Sequence, residues 1–156
     1  MGLFLATHIN KLDKKGRISI PATFRSSLIS GEAQQFVAFR SYKYQAIECC
    51  TMLRMQQLSE TMDQLDMFSE AQDDFTAAIF ADAQPISIDG DGRAVLPLPL
   101  IEYAGLEESA AFIGRGATFQ IWKPELFEEH QALARQRIKA HHAAIKLNKR
   151  EDAKRI

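Results

Sequence analysis

The sequence predicts an α+β protein in which one β-turn-β, helix, β-turn-β unit occurs twice, with flanking helices and a long C-terminal helix. Three observations carry that prediction. The pattern D-x-x-G-R stands at residues 13–17 ("DKKGR") and again at residues 89–93 ("DGDGR"). Each copy runs on through a short β-prone stretch to a proline, Ile18-Ser19-Ile20-Pro21 and Ala94-Val95-Leu96-Pro97, and then into a short helical pattern. Beyond Pro124 a helical spacing of apolar residues continues to about Asn148.

Each element follows from local chemistry. An aspartate at a turn start accepts hydrogen bonds from amides two or so residues on, and Gly16 and Gly92 can take the left-handed backbone that closes a hairpin. Proline suits the first turn of a helix and glycine its end. The first short helix is therefore predicted from Ala22, Phe24, Arg25 and Leu28 to near Gly31, and the second from Leu98, Leu100, Ile101 and Ala104 to Gly105. Strand-like segments follow both, over residues 36–39 and 44–49 in the first copy and 111–113 and 118–122 in the second. Between the copies, residues 51–65 place Leu53, Gln57, Met62 and Leu65 near one helical face, and Ser69-x-x-Gln72 is a capping signal for a helix through Ala81. Two repeated units that each bury little apolar surface alone are expected to pack as one core. The boundaries read as 1–82 for the first half with its helices, 83–134 for the second half, and 135–156 for a basic C-terminal helix and tail.

With 156 residues, 46% of them hydrophobic and 25% charged, the composition is that of a globular protein. The apolar start of MGLFLATHINK is too short for a signal peptide or a membrane span, so a cytoplasmic location without membrane partners is expected. Cys49 and Cys50 are adjacent, which suits packing and neither a disulfide nor a zinc site. The net charge of −1 hides a strong pattern. Over residues 11–25, Lys11, Lys14, Lys15, Arg17 and Arg25 face the single acid Asp13; residues 48–91 hold ten acids against Arg54; residues 135–155 hold eight Lys or Arg against Glu151 and Asp152.

The segments "LDKKGRISIPATFR" (12–25), "DGDGRAVLP" (89–97), "AGL" (104–106) and "FIGRGATFQIW" (112–122) together resemble the MraZ family, whose halves each carry such a motif. The resemblance implies an AbrB-like, swapped-hairpin β-barrel core. It also implies a DNA-binding transcriptional regulator, usually a repressor, acting in the nucleoid at the promoter of the cell-division and cell-wall gene cluster. Its partners would be short direct repeats in double-stranded DNA and further copies of itself in a homo-oligomeric ring. Carried over residue by residue, Arg17 and Arg93 face DNA while Asp13, Gly16, Asp89 and Gly92 shape the turns. The chain departs from the family pattern where Phe4-Leu5-Ala6 lacks an expected glycine, where His8 is displaced from the expected histidine, and where Asp73 and Asp74 replace arginines.

Physical chemistry adds unequal roles to that expectation. Lys14 and Lys15 at the first tip can approach phosphates, while Arg17 offers a planar guanidinium to guanine O6 and N7. The second tip lacks lysines and sets Asp91 beside Arg93, so Arg17 is expected to contribute more than Arg93. An enzyme is the main rival from another class, since Gly-rich turns can cradle phosphates and Asp89 and Asp91 could hold a metal ion, but the case is weak, and no cofactor, metal or small-molecule substrate is expected. Neither glycine turn is a nucleotide loop, "DGDGR" lacks the later acidic ligand of a calcium loop, and Glu128, Glu129, His130, His141 and His142 do not have zinc-protease spacing. The methionines at 52, 55, 62 and 67 suit packing. A second rival is a structural or partner-binding oligomeric ring that does not read DNA.

Overall fold

The structure is a computed structural model and describes residues 2–30 and 33–154. Its strands are β1 (Thr7–Lys11), β2 (Arg17–Ser19), β3 (Ile29–Ser30), β4 (Ala33–Arg40), β5 (Ile47–Cys50), β6 (Gln84–Ser87), β7 (Arg93–Val95), β8 (Ser109–Gly114) and β9 (Phe119–Trp122). The helices are α1 (Ala22–Ser27), α2 (Met52–Met62), α3 (Glu70–Phe75), α4 (Leu98–Ala104) and α5 (Pro124–Lys154). The chain divides into two compact units, Met1–Pro124 and Glu125–Ile156. This is the α+β class expected, with every pairing antiparallel.

The duplication is interleaved. Strand β1 of the first copy pairs with β8 of the second, and β6 of the second copy pairs with β4 of the first. The main sheet runs β1-β8-β9-β5-β4-β3, with β6 also on β4. It is an open path and differs from the closed barrel expected. The reason lies in the second legs of the two hairpins: β2 and β7 leave the main sheet and pair with each other as a separate two-stranded ribbon. Hydrogen bonds flanking that ribbon repeat across the duplication, Ile20 N–H to Gly92 O at 2.9 Å and Leu96 N–H to Gly16 O at 2.8 Å.

Strand alternation sorts the apolar residues into two cores, because successive side chains point to opposite faces. Phe36, Ala38 and Cys49 face the main core, built around Phe4, Phe24, Phe112 and Phe119; Val37, Phe39 and Cys50 face a second cluster with Met55 and Ile79. The Phe24 ring lies 5.3 Å from Phe4 and 5.0 Å from Phe119, distances at which tilted and edge-on aromatic pairs attract. The cysteines are free and buried, and burial pushes the Cys50 thiol up to about 11.

Both short helices start after their prolines. Helix α4 stops at Gly105, which takes φ 68°, as expected of a left-handed cap. Helix α1 ends at Ser27, with Leu28 as its C-cap; Gly31, the expected stop, lies outside the described residues. In the middle segment the Thr51 side chain accepts from Arg54 N–H and caps α2, and the Ser69 hydroxyl accepts from Gln72 N–H and caps α3. The buried face of α2 is not the one that Leu53, Gln57, Met62 and Leu65 share. Met55 is buried, with Met52 and Leu58 packed beside it, whereas Leu53 and Leu65 are 48% and 37% exposed. The stripe is set by Met52, the first helical residue, and its i+3 and i+6 neighbours. Helix α3 passes into a wider π-helical turn, Thr76–Phe80, whose C-cap is Ala81.

The second unit is one helix. Pro124 opens it, Glu125 lies in its first turn where the helix dipole favours an acid, and it continues past the expected Asn148 to Lys154. Leu133, Ile138, Ile145 and Leu147 are exposed along it. Among the described residues no helix is long and apolar enough to cross a membrane.

Candidate nucleic-acid interface

The two turns are built identically. Asp13 Oδ1 accepts from the Lys15 and Arg17 backbone N–H groups at 2.9 and 2.8 Å. Asp89 Oδ1 accepts from Asp91 and Arg93 at 2.9 and 3.0 Å. Gly16 N–H donates to Asp13 O and Gly92 N–H to Asp89 O, and the glycines take φ 82° and 79°. Only glycine holds that backbone without cost, and only a short side-chain acceptor can satisfy two amides inside the turn. Those amide bonds stabilise the ionised carboxylates. The Arg17 backbone N–H, then its guanidinium, hold Asp13 below its ordinary value, and the Arg93 backbone N–H does the same for Asp89.

Register brings the two copies together. Arg17 lies opposite Val95, Ile18 opposite Ala94, and Ser19 opposite Arg93. Ile18 and Ala94 are buried in the main core, so the residues flanking them on each strand share the outer face. Arg17, Ser19, Arg93 and Val95 are all exposed there. The sequence placed Arg17 and Arg93 on separate hairpins; the structure sets them on one ribbon, diagonal to each other, about 7–8 Å apart in a regular antiparallel pair. Both also line one groove of about 600 Å³ with Lys11, Asp13, Ser19 and Glu108.

The side chains are held differently. Arg17 Nε donates to Asp13 Oδ2 at 2.6 Å, and among the described residues no bond is formed by its Nη atoms. Arg93 Nε stands 3.8 Å from Asp89 Oδ2, while its Nη2 is engaged by Asp91 Oδ2 at 3.3 Å. The terminal fork of Arg17 is thus presented and that of Arg93 partly occupied. Lys14 and Lys15 are exposed at the first tip, and Gly90 and Asp91 at the second. Free Nη groups on a backed ribbon suit two parallel hydrogen bonds to a planar acceptor pair, and ammonium groups at the tip suit phosphate.

Sequence reasoning missed three contributors. Ser19 and Val95 complete the outer face, a position that the strict alternation of Arg17-Ile18-Ser19 and Arg93-Ala94-Val95 encodes. Arg25, read as part of the basic run and of the first short helix, lies against the second turn: a Cβ added at Gly92 would meet Arg25 Nη1 at 2.5 Å. Its Nε is buried without a hydrogen-bond partner. The corresponding residue of the second copy, Ile101, lies against Gly16. One turn is backed by an apolar side chain and the other by a guanidinium.

Comparison with known proteins gives a consistent set. The family described as "MraZ protein, putative antitoxin-like" matches residues 79–149. A protein of Gluconacetobacter diazotrophicus called transcriptional regulator MraZ is 48% identical over 142 residues, covering 88% of this chain and 89% of its own. Proteins with the same description from Rickettsia akari and Pelagibacter ubique are 40% and 37% identical, covering 83% and 94% of this chain and 87% and 95% of theirs.

Proposed function

The chain belongs to the MraZ family, and on that premise we propose that it is a DNA-binding transcriptional regulator that lays the β2–β7 ribbon into the major groove. The observation that carries the reading is the shared outer face: two arginines, a serine and a valine on a two-stranded ribbon whose other face is core. The major groove of B-DNA admits a two-stranded β-ribbon, and arginine pairs bidentately with guanine there. Lys14 and Lys15 hold phosphate oxygens, which gives affinity without sequence information; Arg17 reads a base, and Arg93 assists. The Asp13 and Asp89 carboxylates fix turn and arginine alike, so the guanidinium meets DNA already oriented.

The finer role is that of a repressor of the division and cell-wall gene cluster, acting on the chromosome in the cytoplasm. A single ribbon bears few charges on a protein of net charge −1. A homo-oligomeric ring supplies the missing affinity, because linked contacts raise one another's effective concentration by roughly 10²- to 10⁴-fold in avidity. Direct repeats in the promoter are then the DNA counterpart of repeated subunits. Residues 1–82 and 83–134 are the halves that contribute one turn each, and for the basic segment 135–156 solvation or subunit contact comes ahead of DNA.

The test is fluorescence anisotropy of the purified protein on duplexes carrying none, one or several direct repeats from the DNA upstream of its own gene, at two salt concentrations. Repeat-dependent binding that weakens with salt, and that Arg17→Ala weakens markedly, is the expected result. Intact oligomers that ignore the repeats would instead support a partner-binding ring without DNA readout.

A further inference from the structure

Val95 is an apolar side chain where solvent or a polar ligand would favour a polar one. It is 57% exposed, stands at the edge of a short ribbon, and lies directly opposite Arg17 on the outer face. The inner face of its strand is closed by Ala94, so Val95 adds nothing to the core from this position. Being β-branched, it holds a narrow range of side-chain angles on a strand and projects its two methyl groups stiffly. Side chains directly opposite on an antiparallel pair stand about 4.5–5.5 Å apart at Cβ, and successive bases rise about 3.4 Å along a strand. A ribbon that sets Arg17 on one base therefore sets Val95 within one or two base pairs of it.

In the major groove the apolar feature is the 5-methyl group of thymine, which small aliphatic side chains contact. We propose that Val95 is a specificity-determining residue whose isopropyl group packs on the 5-methyl of a thymine one or two base pairs from the base read by Arg17. This rests on the ribbon's outer face being the one that meets DNA. Ser19, opposite Arg93, places a hydroxyl at the corresponding position of the first copy. The two ends of the ribbon therefore differ in kind: one reads a methyl group, and the other a polar base edge.

The experiment uses the full-length protein and repeat duplexes in which each thymine is replaced singly by deoxyuridine, which lacks only the methyl. Wild type is expected to lose about 3- to 5-fold in affinity at one position, the size expected of one buried methyl. Val95→Ala is expected to bind thymine and uracil duplexes alike at that position, while Val95→Ile, which keeps a branched apolar group, retains the penalty. Circular dichroism and thermal unfolding establish that the variants are folded, and Val95→Ile keeps the comparison valid if Val95→Ala is not. A uracil penalty that persists undiminished in Val95→Ala, or none at any thymine in wild type, overturns the inference. If wild type does not distinguish repeat from scrambled duplexes at all, the ribbon reading itself fails, a separate outcome visible in the same titrations.

Discussion

The two D-x-x-G-R turns share the same backbone hydrogen bonds and differ in what surrounds their arginines. Each has an aspartate holding two amides and a left-handed glycine, with the arginine beginning the second strand of the hairpin. Yet Arg17 keeps its terminal nitrogens open and sits behind two lysines, whereas Arg93 spends Nη2 on Asp91 and sits behind a glycine and an acid. Duplication has preserved the device that points a guanidinium outward and released the charges around it. The difference teaches that a repeated motif need not imply equal duty. Geometry comes from the aspartate and glycine, and strength from the residues between them.

The comparison breaks most decisively through the arginines. Arg17→Ala is expected to weaken repeat binding by roughly 1–3 kcal/mol, the cost of a lost bidentate base contact, and Arg93→Ala by clearly less. Equal losses on one operator would show the two turns to be equivalent readers.

Replacing the glycines separates backbone from surroundings. Either Gly→Ala places a Cβ in the left-handed region at about 1–2 kcal/mol. At Gly16 the new atom would also meet the fixed backbone oxygen of Leu96 at 2.9 Å, whereas at Gly92 it meets the movable Arg25 side chain. Urea unfolding should therefore show Gly16→Ala to be the more destabilising. The reverse order would mean that the Arg25 contact is the stiffer one.

Asp91→Asn should sharpen the comparison by freeing Arg93 Nη2 and removing a charge that repels phosphate. DNA affinity is expected to rise by about 2- to 3-fold, a small gain because the pair is exposed, with the wild-type value as the outcome that would deny Asp91 any restraining role. Acid pH offers the subtlest probe. Both turn aspartates have folded values below the ordinary 3.8, so the unfolded chain takes up protons first as pH falls. Their stabilising contribution is complete above that value and is lost as pH drops through the lower folded values. The stability difference between wild type and Asp13→Asn should stay constant over pH 6–8 and shrink only in the acid range.

Much of this was legible in the sequence because it is written locally. The turn chemistry, the proline-opened short helices, the middle helix, which ends at Met62 rather than Leu65, and the long helix after Pro124 depend on neighbours a few residues apart. What was not legible depends on partners far along the chain. That β2 leaves its own hairpin's sheet to pair with β7, keeping the main sheet open, is a choice between pairings that local pattern does not rank. The same pairing unites Arg17 with Arg93 and recruits Ser19 and Val95. Arg25 against Gly92 is likewise a contact between copies. Ala6 shows the opposite case: the sequence marked the stretch Phe4-Leu5-Ala6 as lacking a glycine, without saying at which position, and the structure gives Ala6 φ 72°, the one described non-glycine residue at positive φ. Leu53, Gln57, Met62 and Leu65 were placed near one face of a helix, yet Met52, Met55 and Leu58 mark the covered side of α2, because helical spacing fixes which residues share a face but not which face is covered.

The central claim, that the fork of Arg17 reads a guanine from the β2–β7 ribbon, is tested most directly by replacing each guanine of a repeat singly with 7-deazaguanine, which removes the N7 acceptor. Titrated against wild type, one position should cost about tenfold, as befits a hydrogen bond to a charged donor, and the same position should cost Arg17→Ala nothing further. A penalty that survives in Arg17→Ala, or its absence at every guanine in wild type, would contradict the account.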